Sequence, residues 1–285
     1  MTRRGALLAP LAGGLAAACS PLGALNTFAP RDRSARRVAR DVAYGPGERQ
    51  KLDIYAPTGA RAAPLVVFFY GGGWNSGARG LYGWAAQAIA SRGFVVALPD
   101  YRLVPEVRFP VFLEDCAQAT AKAVELAGGH GADPAKLAVA GHSAGAYNAL
   151  MLALDPRYLA AAGLPAGSVK AAPGLAGPYD FLPLDVASTR EAFGQAPDLP
   201  QTQPVTFADR SDPAVWLAYG GKDRVVYPHN SRNLAARVNA AGGAAELKLY
   251  PDLDHAGMIA ALAPLFRGRA PVLDDMAAFL HARLD

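Results

Sequence analysis

The stretch Gly141-His142-Ser143-Ala144-Gly145 separates two different sequence patterns. Residues 136–140 before it form an apolar run typical of a buried strand, and residues 144–154 after it favour a helix. Small residues around Ser143 allow a sharp turn from strand to helix, so its hydroxyl would stand above the sheet. The N-terminus of that helix would direct backbone N–H groups at negative charge beside Ser143. The pattern predicts a nucleophilic serine; the alternative is an ordinary glycine-flanked turn.

Strand-like and helix-like patterns alternate on both sides of this turn. An antiparallel hairpin is predicted at residues 42–55, and the unbroken apolar run at residues 65–70 is typical of a strand buried on both faces of a mostly parallel sheet. Predicted strands lie at residues 65–70, 94–98, 136–140, 169–176, 214–219 and 245–250, and predicted helices at residues 81–92, 112–127, 144–154, 230–241 and 272–283. This alternation predicts an α/β fold, with one doubly wound domain over residues 41–285 and a mostly parallel sheet between two layers of helices.

Residues 178–212 interrupt the alternation, because they are rich in proline and have no clear period. The insertion would lie on the side of the sheet where the strands end, above Ser143. Four aromatic residues offer apolar anchors, namely Tyr179, Phe181, Phe193 and Phe207. We therefore expect a small cap rather than a disordered excursion.

Composition excludes several classes of protein. With 52% hydrophobic and 18% charged residues, the chain is neither disordered nor fibrous. The net charge of +4 is modest, and no basic face is interleaved with aromatic residues, so nucleic-acid binding is not expected. Arginines concentrate in residues 31–40, at the end of a Pro/Arg-rich spacer predicted at residues 20–40. They would form a solvated linker attracted to anionic lipid headgroups.

Residues 1–19 have the pattern of an export signal. Arg3 and Arg4 precede the apolar residues 5–18, and small residues lead to Cys19. The pattern also resembles a bacterial lipoprotein signal, in which Cys19 would be lipidated, although Ala16 stands where a larger aliphatic residue is usual. We predict an exported protein, periplasmic or anchored to the membrane through Cys19; the alternative is an uncleaved tail. The second cysteine, Cys116, is interpreted as a small buried hydrophobe.

A nucleophilic serine needs a base, and an orienting carboxylate for that base. The histidines available are His130, His142, His229, His255 and His281. His229 and His255 both follow late strands on the side of the sheet that carries Ser143, and His255 is favoured because a short loop joins it to the strand at residues 245–250. Asp223 follows the neighbouring strand, whereas Asp252 and Asp254 are so close in sequence that their side chains would point away. The alternatives are a surface histidine and a turn-forming aspartate.

A glycine-rich loop, Tyr70-Gly71-Gly72-Gly73-Trp74, follows the first buried strand. Glycines let backbone N–H groups face a ligand, so we predict an oxyanion hole formed by the N–H groups of Gly72, Gly73 and Ala144. The loop lacks the Lys-Ser/Thr of a phosphate loop and the spacing of a dinucleotide fingerprint. The histidines lack metal-ligand spacing and there is no CxxC, so neither a metal nor an organic cofactor is expected.

Together these motifs resemble bacterial α/β-hydrolase carboxylesterases of the hormone-sensitive-lipase-like and feruloyl-esterase-like branches. The resemblance runs from about Val42 to the C-terminus and also includes Asp100-Tyr-Arg-Leu103, Gly177-Pro-Tyr-Asp180 and Gly221-Lys-Asp223. It implies a serine hydrolase that acts on small or short-chain esters, with Ser143 as nucleophile, Asp223 as acid and His255 as base.

One departure concerns Tyr70, which stands where the family has a histidine. By comparison with prolyl oligopeptidases, we expect its hydroxyl either to donate to the oxyanion or to hold the glycine loop. Two other functions stay open: an amidase, such as an arylformamidase, on the same triad, and a catalytically silent, membrane-anchored binding protein. Aromatic residues predicted either to line an apolar pocket or to lie in the core are Trp74, Trp84, Tyr101, Tyr179 and Phe181.

Overall fold

The computed structural model describes residues 30–210 and 212–285. The strands are β1 (Ala35–Ala43), β2 (Lys51–Pro57), β3 (Ala63–Phe69), β4 (Val95–Pro99), β5 (Ala132–His142), β6 (Val169–Leu175), β7 (Ala214–Gly220) and β8 (Ala245–Tyr250). The α-helices are α1 (Arg79–Ala90), α2 (Val111–Leu126), α3 (Ala144–Leu154), α4 (Pro156–Ala161), α5 (Ala187–Phe193), α6 (His229–Ala240), α7 (His255–Ala260) and α8 (Val272–Leu284). The predicted signal and Cys19 lie outside the described residues.

These strands form one sheet in the order β1-β2-β4-β3-β5-β6-β7-β8. From β4 to β8 each neighbouring pair is parallel, whereas β1 and β2 are antiparallel to their neighbours. The predicted α/β class, with a single domain and a mostly parallel sheet, is confirmed. Because parallel strands end at one edge of the sheet, the segments after β3, β5, β7 and β8 meet there.

Burial explains which strands are central. Every residue of β3 is buried, as is the second half of β5, so both read as unbroken apolar runs. Strand β8, at the far edge, has a mostly exposed middle. The central strands therefore supply the rigid platform that carries the segments at the sheet edge.

The first strand begins earlier than the sequence indicates. Val42 pairs with Leu52, as the predicted hairpin requires, but β1 extends back to Ala35, inside the segment predicted as a spacer to residue 40. An edge strand can expose arginines on its outer side, and Arg37 is held by an ion pair with Asp53 at 3.0 Å. The spacer prediction is therefore wrong for residues 35–40.

The predicted insertion at residues 178–212 is packed against the domain. It contains α5 and two short 3₁₀ turns. Of its predicted anchors, Tyr179 and Phe193 are fully buried, and Phe181 and Phe207 are partly buried against the core. The Phe193 ring meets Trp74 of the glycine-rich loop edge to face, with ring centroids 4.8 Å apart. No helix in the described residues is long and apolar enough to span a membrane.

Candidate active site

The turn between β5 and α3 is strained at Ser143. Its backbone has φ 56° and ψ −126°, a conformation that costs about 1–3 kcal/mol for a residue other than glycine. A Cβ at Gly141 would lie 2.2 Å from the Gly145 carbonyl oxygen, and one at Gly145 would lie 2.1 Å from that of Phe69. Glycine is therefore required at both positions for the chain to turn this tightly and present the Ser143 hydroxyl.

The side chains of Ser143, His255 and Asp223, which follow three different strands, form one hydrogen-bonded chain that begins at this hydroxyl. Nε2 of His255 lies 2.9 Å from Ser143 Oγ, and Nδ1 of His255 lies 2.8 Å from Asp223 Oδ2. Because a carboxylate oxygen accepts, Nδ1 carries the proton and Nε2 is free to accept one from the serine. The Asp223 side chain is fully buried, while that of His255 is 16% exposed, so the base remains accessible to a substrate.

The turn after β7 fixes the carboxylate. Oδ1 of Asp223 accepts hydrogen bonds from the backbone N–H groups of Val225 and Val226, both at 2.9 Å. The two nearby aspartates have other partners: Asp252 pairs with Lys222, and Asp254 accepts from Gly257 N and caps α7. The carboxylate that contacts His255 is thus that of Asp223, and not that of Asp252 or Asp254, which are closer to His255 in sequence.

The glycine-rich loop has the backbone that only glycine tolerates well. Gly72 and Gly73 have φ of +144° and +59°, and a Cβ on Gly72 would lie 2.2 Å from the Ser76 carbonyl oxygen. Among the described residues, none accepts a hydrogen bond from the N–H groups of Gly72, Gly73 or Ala144. Gly73 and Ala144 line the cavity beside Ser143, and Gly72 directly precedes Gly73 without lining it. These N–H groups stay candidates for binding an oxyanion.

The structure contradicts the expected oxyanion contact of Tyr70. This side chain is fully buried, stacks on Tyr101 with ring centroids 4.7 Å apart, and its hydroxyl accepts a hydrogen bond from Arg49 Nη2 at 2.9 Å. Burial raises the pKa of the Tyr70 phenol. The same guanidinium donates to the Gly77 carbonyl at 2.7 Å. Tyr70 is therefore linked through Arg49 to Gly77, just after the glycine-rich loop, while its ring stays in the core against Tyr101.

A cavity of about 240 Å³ opens beside Ser143. Of the aromatic residues weighed for a pocket, Trp74 and Phe181 line it. The other three lie in the core: Trp84, Tyr101 and Tyr179. In the part of the chain that the structure describes, no group of three histidine, cysteine or acidic side chains is placed to hold a metal ion.

The BD-FAE family model matches residues 52–238, which is more than half of the chain and includes Ser143 and Asp223. The chain belongs to the BD-FAE family. The probable isoprenylcysteine alpha-carbonyl methylesterase ICME of Oryza sativa is 28% identical over 87% of this chain and 65% of its own length. Esterase LipC of Mycobacterium tuberculosis is 30% identical over 70% of this chain and 55% of its own. The chain thus spans less than two thirds of these curated relatives.

The fold of this BD-FAE protein is shared with solved esterases. A truncated carbohydrate esterase from gut microbiota superposes with a TM-score of 0.77 over 90% of this chain and 99% of its own, at 20% identity. Its likeness shows a common architecture. The family resemblance predicted from the sequence is confirmed.

His142 has a role in this BD-FAE site that sequence reasoning missed. Its Nε2 lies 3.2 Å from the backbone carbonyl oxygen of His255, and its Nδ1 lies 3.1 Å from the Tyr82 hydroxyl. A carbonyl only accepts, so Nε2 donates and Nδ1 accepts from Tyr82. Burial, together with the nearby His255, lowers the pKa of His142 to about 3, which keeps the ring neutral. The one sequence feature that could have indicated this role is the position of His142, a polar residue directly before Ser143.

In the part of the chain that the structure describes, none of the remaining histidines of this BD-FAE chain bonds the Ser143 hydroxyl, although His229 lines the same cavity. His229 begins α6, and its Nε2 bonds the carbonyl oxygen of Asp180 at 3.1 Å. His281 in α8 contacts Asp285 and the carbonyl oxygen of Arg92. His130 ends the 3₁₀ turn before β5. The preference for His255 over these three agrees with the geometry.

Proposed function

We propose that the protein is a serine hydrolase that cleaves carboxylic esters through an acyl-enzyme intermediate. The observation that carries the proposal is the continuous hydrogen-bonded chain from Ser143 Oγ through His255 to Asp223, at the wall of a cavity. A silent binding protein would not need a strained serine, a correctly protonated base and a buried carboxylate together. The esterase names of the relatives support the same reaction.

The geometry supports the following sequence of steps. His255 Nε2 accepts the Ser143 proton as Oγ attacks the ester carbonyl carbon. Backbone N–H groups of the glycine loop and of Ala144 stabilise the tetrahedral oxyanion. As the C–O bond breaks, His255 returns the proton to the departing alcohol. A water molecule, deprotonated by His255, then attacks the acyl-enzyme carbonyl. As the bond from the acyl carbon to Oγ breaks, His255 returns the proton to Ser143 Oγ, which releases the carboxylic acid and restores the free serine.

Asp223 stabilises the charged imidazole that forms in each step. Its buried carboxylate faces Nδ1 of His255 and is held by two backbone N–H groups, so it keeps its orientation as the proton moves. Loss of one oxyanion donor typically costs about 3 kcal/mol of transition-state stabilisation. The cavity volume of about 240 Å³ favours a small or short-chain acyl or aryl group within it.

Release of nitrophenol from 4-nitrophenyl acetate tests the proposal, with the Ser143→Ala variant measured alongside. Turnover by the parent that is lost in the variant would support it. Equal turnover in both would exclude Ser143 as the nucleophile. A folded parent that cleaves formylated anilines, but no nitrophenyl ester, would favour the amidase instead.

We also propose export with lipid attachment at Cys19, leaving the domain periplasmic or held at a membrane. The support is the pattern of residues 1–19, in which a basic start and an apolar run precede small residues and the cysteine. The test is incorporation of labelled palmitate in a bacterial host. Label lost in Cys19→Ser would support lipidation, and label absent from the parent would exclude it.

A further inference from the structure

Exposed apolar side chains concentrate at the mouth of the Ser143 cavity. The described residues contain seven large apolar side chains that are clearly exposed: Val38, Val186, Val225, Tyr227, Leu247, Leu249 and Leu265. Three of them, Val186, Val225 and Tyr227, also line this cavity, with exposed fractions of 50%, 66% and 57%. A residue that lines a cavity and is half exposed lies at its opening, so these three form an apolar lip around it.

The lip is built from both walls of the site. Val186 immediately precedes α5 in the predicted cap, whereas Val225 and Tyr227 follow β7. The turn that donates two N–H groups to Asp223 includes Val225, which fixes this residue relative to the triad. The Tyr227 ring stacks on His229, with centroids 6.3 Å apart and planes at 18°. The lip is therefore an ordered surface rather than a set of loose side chains.

The volume of the cavity and the charges of its lining residues limit which part of a substrate can contact the lip. The cavity of about 240 Å³ is below the roughly 300–1,000 Å³ of pockets that enclose drug-sized ligands. A substrate larger than the cavity must pass the opening and contact the lip. The described residues that line the cavity include no lysine or arginine, and Asp185 contributes a carboxylate. A phosphate or carboxylate on the substrate would find no lysine or arginine there, and the one histidine of the lining, His229, has its Nε2 on the carbonyl oxygen of Asp180.

We propose that the lip binds an uncharged apolar chain of the ester substrate, outside the cavity that holds the reacting group. This inference rests on the proposed function and narrows its substrates to esters with an extended apolar portion. Exposed apolar surface costs free energy, and contact with an alkyl chain removes it from water on both partners. The lip thus acts as a determinant of chain-length specificity.

Two lip variants of the full chain, Val186→Ser and Tyr227→Ser, test the proposal. Serine at position 186 also suits the residue that precedes a helix, so α5 should be retained. The matched control is Leu265→Ser, because Leu265 is as exposed as Val225, at 66%, and does not line the cavity. The probes are 4-nitrophenyl acetate and octanoate, and ethyl and octyl acetate, each used below its micelle concentration.

The expected result is a fall of about three- to tenfold in the kcat/KM ratio of the long to the short ester in both lip variants, with the ratio unchanged in the control. The loss should appear in the acyl series or in the alcohol series, depending on which side of the ester meets the lip. Ratios equal to those of the parent in both series would overturn the proposal. Failure of the proposed function is distinct, because the parent would then show no Ser143-dependent hydrolysis of the acetate.

Discussion

His142 Nε2 donates a hydrogen bond to the backbone carbonyl of His255 across 3.2 Å, joining the residue before the nucleophile to the residue that serves as its base. The two imidazole rings lie 5.0 Å apart. Tyr82 from α1 holds the opposite nitrogen of His142. The start of α7, where His255 lies, is thereby tied to the β5–α3 turn as well as to Asp223. His142 is a positioning residue in this arrangement, because it acts through His255.

Replacement of His142 by phenylalanine should reduce kcat for 4-nitrophenyl acetate about fivefold and leave KM nearly unchanged. The variant keeps a planar ring but leaves the His255 carbonyl without its donor, and one such hydrogen bond is worth about 1 kcal/mol. His142→Gln should restore much of the rate, since its amide nitrogen can donate in place of Nε2. A His142→Phe enzyme with the kcat of the parent would show that the carbonyl needs no donor.

The same residue should make the protein sensitive to acid. Burial lowers the pKa of His142 to about 3, whereas an unfolded chain titrates near 6.5. Between these values the unfolded state binds a proton that the native state does not, so the free energy of unfolding falls as the pH drops from about 6.5 towards 3. The contribution is fully present above pH 6.5 and changes by at most about 1.4 kcal/mol per pH unit.

Urea unfolding at pH 7, 5 and 4 measures this acid dependence. His142→Gln carries no group that titrates in this range at position 142, so its stability should fall less steeply between pH 7 and 4 than that of the parent. Parallel slopes for the two proteins would assign the acid sensitivity to other groups.

Asp223→Asn should lower kcat about 10³- to 10⁴-fold. The N–H groups of Val225 and Val226 require an oxygen at the Oδ1 position, so the new amide NH₂ is turned towards His255 Nδ1. That contact makes Nδ1 an acceptor and places the imidazole proton on Nε2. A protonated Nε2 cannot accept the proton of the Ser143 hydroxyl.

Asp254→Asn is the matched control for the orienting carboxylate. Asp254 directly precedes the base, and its side chain accepts from Gly257 N, which an asparagine oxygen can also do. We expect kcat within about twofold of the parent. A loss as large as that of Asp223→Asn would move the orienting role to Asp254.

Patterns local in sequence predicted the elements that carry the site. The predicted limits of α3 and β8 agree with the structure, because a glycine-rich turn precedes α3 and apolar residues alternate with charged ones along β8. Apart from the contacts among Ser143, His255 and Asp223, contacts between distant segments could not be predicted from such patterns. Arg49 reaches Tyr70 from 21 residues earlier, and His142 meets His255 across 113 residues. Tertiary packing determines which partner each of these polar side chains bonds, and packing leaves no periodic pattern in the sequence.

Gly72→Ala should reduce kcat about 100-fold, as loss of an oxyanion donor typically does. The added methyl group would lie 2.2 Å from the Ser76 carbonyl oxygen, at a φ of +144°, so the loop must shift. Gly80→Ala is the control, because a Cβ there meets no atom within 4 Å and Gly80 lies in α1. This variant should keep the rate and gain about 0.5–1 kcal/mol of stability. Equal kcat values for the two variants would show that the backbone conformation at Gly72 does not contribute to catalysis.

Tyr70→Phe should leave kcat within about threefold of the parent while lowering the free energy of unfolding by about 1 kcal/mol. Its hydroxyl contacts Arg49 rather than the Ser143 cavity, and the phenyl ring can keep the stacking on Tyr101. Steady-state kinetics and urea unfolding of the same preparation measure the two effects. A kcat loss of 100-fold with unchanged stability would instead return Tyr70 to the oxyanion hole. Arg49→Lys should resemble Tyr70→Phe in kinetics but be less stable, because the guanidinium also donates to the carbonyls of Gly77 and Tyr101.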